Sequence, residues 1–123
     1  MRIIDIQYPT SLDKIKDIQN DNIDVFVTLE DGMTYTLVVT TPKNYYWYME
    51  NEGLDFVPAS PPDIIVKELT EENIRKALEN FVEGNAYWLK LYFLSGNENG
   101  VFEIDKMNEM IARIKKENDE IFG

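Results

Sequence analysis

Neither cysteine nor histidine occurs among the 123 residues. Without thiols there is no disulfide framework and no thiolate metal site, which suits a reducing compartment. Without imidazole, the commonest general base near neutral pH and the commonest zinc ligand are both missing. Long apolar runs are missing too. The most apolar stretch, Ala86 to Leu94, is interrupted by Lys90 and is too short to span a bilayer. The opening MRIIDIQYPT has no apolar run of signal-peptide length and carries an early Asp5. These absences lead to the expectation of a soluble cytoplasmic protein with no membrane role. No Gly-rich phosphate loop, Walker motif or dinucleotide fingerprint is present. Nucleophilic triads lack their histidine, and Ser11, Ser60 and Ser95 sit in cap or loop contexts. Carboxylates abound, but no pair stands out for glycoside chemistry. The Asp/Asn cluster from Asp17 to Asp24 lacks the glycine and closing glutamate of a calcium loop and reads as ordinary turn chemistry. The expectation is therefore a protein that is not an enzyme, with no cofactor and no metal.

Basic residues are scarce: 12 against 23 acids, a formal net charge of −11. Their placement is uneven. Between Asp17 and Val66 the one base is Lys43, against nine acids, so that window carries −8 and the rest of the chain −3. Such a field repels nucleic acid and anionic membrane surfaces and favours basic partners. Solubility alone is the plain alternative reading of the same acidity. The clustered bases Arg113, Lys115 and Lys116 are matched by Glu117, Asp119 and Glu120, which describes a salt-bridged helix surface.

What the chain does contain is organised around Ile23 to Thr41. Apolar residues take the odd positions Ile23, Val25, Val27 and Leu29, then Met33, Tyr35, Leu37 and Val39. That alternation marks two strands with one face in a core. A two-residue turn at Asp31-Gly32 would set Leu29 opposite Thr34, apolar against polar. A three-residue turn, Glu30-Asp31-Gly32, sets Leu29 opposite Met33 and Val27 opposite Tyr35. The second register is the consistent one, and it requires Gly32 in the left-handed conformation. Phe26 and Val38 fall on the otherwise polar face.

Around this hairpin, Arg2 to Tyr8 reads as a strand with Ile4, Ile6 and Tyr8 on one face. Ser11 to Gln19 reads as a short helix with Leu12, Ile15 and Ile18 at helical spacing. Thr41, Pro42 and Gly53 frame another helix, in which Tyr45, Tyr48 and Met49 form the expected core stripe. Tyr46 and Trp47 then point away beside Glu50, with Trp47 expected to pack on the following loop. That loop, Leu54 to Asp63, is apolar and proline-stiffened, and Leu54, Phe56 and Val57 are expected to fold back over the core. Ile64 to Leu69 is a strand, and Thr70 caps a helix carrying Ile74, Ala77, Leu78, Phe81 and Val82 and closed by Gly84. Asn85 to Ser95 fits helix or strand in length, and its position between helical segments favours helix, buried nearly all round. Ser95 to Gly100 reads as a loop. From an N-cap at Asp105 to Phe122 runs a final helix with Met107, Met110, Ile111, Ile114 and Ile121 in one stripe, which would ordinarily be core.

The class expected is α+β in one domain, 1–123. An antiparallel sheet of three to four strands is built on the 23–41 hairpin, with three to four helices mostly in the C-terminal half packed on one face. In size, charge and its acidic strands and loops (DVFVTLEDG, LDFVPASPPD), the chain resembles the small immunity proteins of bacterial toxin systems. PPDIIVKELTEENI followed by YWLKLYFLSG also resembles small α+β proteins common in bacterial genomes. The first likeness implies a protein that neutralises a toxin, often a basic nuclease, by covering its site; neither likeness carries over a functional residue. The function expected is non-enzymatic binding of a basic protein partner by a monomer or homodimer. The expected contacts are Tyr46, Trp47, Glu50, Glu52, Asp55 and Phe56, aromatic anchors within an acidic rim. One alternative is a small-ligand or carbohydrate site using Tyr46, Trp47 and nearby carboxylates. Another is a structural homodimer with the aromatics between subunits.

Overall fold

A computed structural model describes residues 1–96 and 102–122. The elements run β1 (Ile3–Gln7), β2 (Asn22–Leu29), β3 (Thr34–Thr40), α1 (Pro42–Glu52), β4 (Ile64–Ile65), α2 (Glu71–Phe81), α3 (Glu83–Ser95) and α4 (Ile104–Phe122). The class is α+β, with helices mostly C-terminal. The chain divides into two compact units, Met1–Phe93 and Leu94–Gly123.

The sheet belongs to the first unit and has the order β1-β2-β3-β4. Its hairpin has the three-residue turn. Val27 faces Tyr35 and Val25 faces Leu37. Gly32 has φ 84°, and its N–H donates to the Leu29 carbonyl at 2.9 Å. Asp31 completes the turn: its carboxylate accepts from the Met33 N–H at 2.9 Å and from the Tyr35 hydroxyl at 3.0 Å.

Two differences from expectation concern the sheet's margins. β1 pairs antiparallel to β2 but shifts register between Ile3 and Asp5, a bulge. One extra residue there turns Ile3, rather than Ile4, to the side of Ile6 and Tyr8, and Ile4 is exposed. At the other margin β4 is two residues long and parallel to β3, so the sheet is mixed rather than purely antiparallel. A parallel neighbour cannot follow a tight turn; it needs a crossover, which here is α1 and its loop. The strand expected to reach Leu69 stops because the Val66 N–H makes the last bond to β3, 2.9 Å to the Thr40 carbonyl.

The core lies on one face of this sheet. Val25, Val27, Leu29, Leu37, Val39 and Ile64 are fully buried, together with Leu69, Ile74 and Leu78 and with Ala86 and Leu89 of α3. Leu12, Ile15 and Ile18 pack partly against it. They do so from an irregular segment whose one helical stretch is a 3-10 turn, Leu12–Lys14, instead of a helix over 11–19. Ser11 does not cap it, and its hydroxyl bonds the Asp13 carboxylate instead.

Thr70 caps α2 as its sequence requires, the hydroxyl accepting from the Asn73 N–H at 3.2 Å. The helix stops at Phe81, and Gly84, Asn85 and Ala86 then all have φ near +60°. This single left-handed turn re-aims the chain into the right-handed part of α3. Ala86, at the end of that turn, and Leu89, in the right-handed part, face the core, whereas Tyr87 and Trp88 stand in solvent. The segment is thus helical, but not buried all round. Ring contacts fix both sides of it: Tyr35 meets Phe93 edge-on at 5.2 Å, and Tyr87 meets Trp88 edge-on at 5.4 Å. Most of the loop expected over 95–100 lies outside the described residues.

In the second unit, α4 starts at Ile104, one residue before the expected cap, so that Asp105 sits in its first turn. No residue of α4 is buried. Its methionine- and isoleucine-bearing stripe, expected as core, is open.

Candidate functional site

The segment from Pro42 to Asp63 contributes no residue to the buried core. It begins with a well-defined cap. The Thr41 hydroxyl donates to the Gln19 carbonyl at 2.6 Å and accepts from the Asn44 N–H at 3.2 Å, with Pro42 at the first helical position. It ends with a tight reversal: Gly53 (φ 67°) donates to the Glu50 carbonyl and Leu54 to the Met49 carbonyl at 2.8 Å. That paired closure satisfies two of the last carbonyls and brings half-buried Leu54 back toward half-buried Met49. The helix is therefore held at both ends while most of its surface stays free.

Tyr45, Tyr48 and Met49 do not form the expected core stripe. Tyr45 and Met49 are half-buried and Tyr48 is exposed. The reason is the crossover itself, which carries α1 away from the core-bearing face after β3. On the opposite side, Lys43, Tyr46, Trp47 and Glu50 share one stripe by their spacing of three and four. Tyr46 is 62% exposed and Trp47 50%, so Trp47 is not covered by the loop. In that loop Phe56 is 63% exposed and Val57 is open, so neither folds back over the core. Glu50, Glu52 and Asp55 are exposed as well. The segment brings all six expected contacts to the surface within eleven residues of chain, Tyr46, Trp47 and Glu50 on one stripe of α1, Glu52 at its last position, and Asp55 and Phe56 in the loop that follows.

Beside α1 lies a cavity of about 240 Å³, lined among others by Asn22, Thr40, Asn44, Tyr45, Tyr48 and Asp63. Asn44 organises its floor, donating to the Asn20 side chain at 3.0 Å and accepting from Asn22 at 3.1 Å. The Tyr45 hydroxyl donates to Asp63 at 2.8 Å. Burial first, then this bond to a carboxylate, raises the Tyr45 phenol well above its ordinary value. Nearby, the Tyr92 hydroxyl accepts from the Val38 N–H at 3.1 Å, closing a donor that two-residue β4 leaves unpaired; burial raises this phenol too. Tyr46 and Trp47 do not line the cavity. A second cavity, about 400 Å³, is lined by Arg2, Arg75, Glu79 and Glu83 with Met1, Ile3 and Val82, both charges being represented equally.

The exposed pair Tyr87–Trp88 was not among the sequence candidates. Nothing in the apolar run from Ala86 to Leu94 marks which residues face outward, and left-handed Ala86 breaks the helical spacing by which they would be phased. Among the described residues, no group of three or more acidic side chains is placed to hold a metal ion, and no helix is long and apolar enough to cross a membrane. Set beside known proteins, the chain has no match among family models, curated proteins or solved structures.

Proposed function

We propose that this chain is a non-enzymatic protein-binding domain of the immunity or inhibitor kind, which engages a basic partner such as a toxin through residues 42–63. One observation carries the reading. A segment capped at both ends and absent from the core displays Tyr46, Trp47 and Phe56 to solvent beside Glu50, Glu52 and Asp55. Exposed aromatics are the residue types that anchor interfaces, and a surrounding charged rim steers association and selects the sign of the partner. Pro58, Pro61 and Pro62, with the closed reversal at Gly53, limit the conformational entropy lost on docking.

The test is co-purification with the products of chromosomally adjacent genes, followed by measured affinity for any basic partner recovered. Trp47→Ala is expected to weaken that complex by ~30-fold or more, the level of an interface hot spot. Reversal of Glu50, Glu52 and Asp55 to lysine is expected to slow association and remove its salt dependence. Unchanged affinity and salt response in both variants defeats the reading. The cavity lined by Tyr45, Tyr48 and Asp63 favours a second reading, a small polar ligand or sugar. Its volume of about 240 Å³ falls below the range of roughly 300–1,000 Å³ usual for ligand pockets, which ranks it behind. Titration with a sugar panel that shifts the Tyr48 ring resonances would put it first.

A further inference from the structure

The open stripe of α4 has a spacing with its own meaning. Ile104, Met107, Ile111, Ile114, Asn118 and Ile121 recur at alternating intervals of three and four, a strict 3.5-residue period. In heptad terms Ile104, Ile111 and Asn118 take a positions, and Met107, Ile114 and Ile121 take d positions. Every one is exposed, the apolar five by 37–72%. We propose that α4 pairs in parallel with α4 of a second copy of this chain, as a two-stranded coiled coil. This inference is independent of the reading of residues 42–63.

Three observations select a second copy of the chain. The first is area. With Met110 and Phe122 at the seam's flanks, the open side chains amount to roughly 900 Å² per helix, so two copies can bury up to about 1,800 Å², within the range of about 1,200–2,000 Å² of specific interfaces. The second is charge. Residues 104–122 hold five acids and four bases, so two such helices repel little although the whole chain carries −11. In parallel pairing a g position meets the following e position of the partner helix; here that matches Met110 with Lys115 and Glu117 with Phe122, neither like-charged. The third is Asn118. A polar residue at one a position costs stability unless it meets its own counterpart, where the two amides bond each other. Any antiparallel alignment sets Asn118 against Met107, Ile114 or Ile121 and leaves its amide unpaired. Asn118 thus selects the parallel orientation.

The experiment is sedimentation equilibrium of the full chain. A reversible monomer–dimer equilibrium is expected in the micromolar range, because fewer than three full heptads form the seam. Ile111→Glu is expected to leave a monomer with the sheet's circular dichroism intact. Asn118→Leu should tighten association at least tenfold, a gain that misfolding cannot imitate, while Lys116→Gln on the far face changes nothing. The chain has no cysteine, so introduced ones report orientation directly. Ile121→Cys should oxidise to a disulfide-linked dimer, and a mixture of Ile104→Cys with Ile121→Cys should give no mixed product. A monomer at every concentration overturns the proposal, meaning the stripe is covered within its own chain or by a different protein. So does a dimer indifferent to Ile111→Glu, or efficient mixed cross-linking.

Discussion

Ala86 has φ 59°, a conformation that costs an L-residue with a side chain roughly 1–2 kcal/mol. It is held there because its methyl is fully buried in the core, at the end of a turn that Gly84 and Asn85 enter more cheaply. Gly84 tests that account cleanly, because a Cβ added to it meets nothing within 4 Å. Gly84→Ala is therefore expected to lower stability by about 1 kcal/mol from backbone conformation alone, read as a lower denaturant midpoint at unchanged slope. Tyr8 makes the opposite prediction. Its hydroxyl oxygen is buried and has no hydrogen-bond partner among the described residues. Burial, with a smaller contribution from Glu71, raises the phenol's pKa. Tyr8→Phe removes an unsatisfied group and should leave stability unchanged or raise it by ~1 kcal/mol; a loss larger than that in thermal unfolding contradicts the burial argument. Residues differ in how plainly sequence announces them. Gly32 was legible, since one turn length alone put like faces together. The bulge after Ile3 was not, because Ile3 and Ile4 are equally apolar and nothing in their identity says where the extra residue falls.

The elements separate along the same line. α2 is legible at its start and along its face, where its cap, its first-turn acids and its buried Ile74 and Leu78 agree, but not at its end: Val82 is the C-cap and Gly84 opens a left-handed turn of three residues. Thr70→Ala removes the cap that satisfies the Asn73 N–H and should cost about 1 kcal/mol in chemical denaturation. α1 and α4 were readable as helices and misread as to what they cover. Periodicity locates an apolar face, but what packs against that face depends on chain path, and the path of α1 is set by the parallel placement of β4. The sequence extends β4 to Leu69 because Ile64, Ile65 and Val66 are β-branched, but Lys67 and Glu68 interrupt the apolar run and β3 offers no partner beyond Thr40. Four consecutive aromatics cannot share one side of a helix, which makes Tyr46 and Trp47 legible as pointing away from the core; the exposure of Phe56 and the uncovered ring of Trp47 are not legible, because both depend on the path of the loop after Gly53. Since Trp47 lies outside the core, Trp47→Ala should change folding stability by no more than about 0.5 kcal/mol. A large drop in melting temperature would mean that Trp47 has a packing role after all.

For the molecule as a whole, the tyrosines set the response to base. Burial raises the phenols of Tyr8, Tyr35, Tyr45 and Tyr92 above their ordinary value near 10, aided at Tyr35 and Tyr45 by bonds to Asp31 and Asp63. A raised pKa in the folded state means that the fold holds those protons more tightly than the unfolded chain does. Its contribution to stability is present in full below about pH 10 and is lost as pH rises through the folded values. The free energy of unfolding should therefore fall steeply above about pH 10, and a flat response from pH 9 to 12 would contradict it. Replacing Tyr45 and Tyr92 together by Phe should flatten that alkaline slope.

The crossover between β3 and β4 has a consequence for how such a chain changes over generations. The sheet requires only that Ile64 and Ile65 return beside Val39 and Thr40; it draws no core residue from the 22 positions 42–63. Closing a longer connection is cheap, about 0.6 kcal/mol for each doubling of length. Beyond the anchoring Asn44 and the Tyr45–Asp63 bond, residues 42–63 are thus free to vary in length and composition at little thermodynamic risk, as a cassette on a fixed frame. A lineage pursuing a changing target can rewrite that stretch while the hairpin, α2 and the left-handed turn stay as they are.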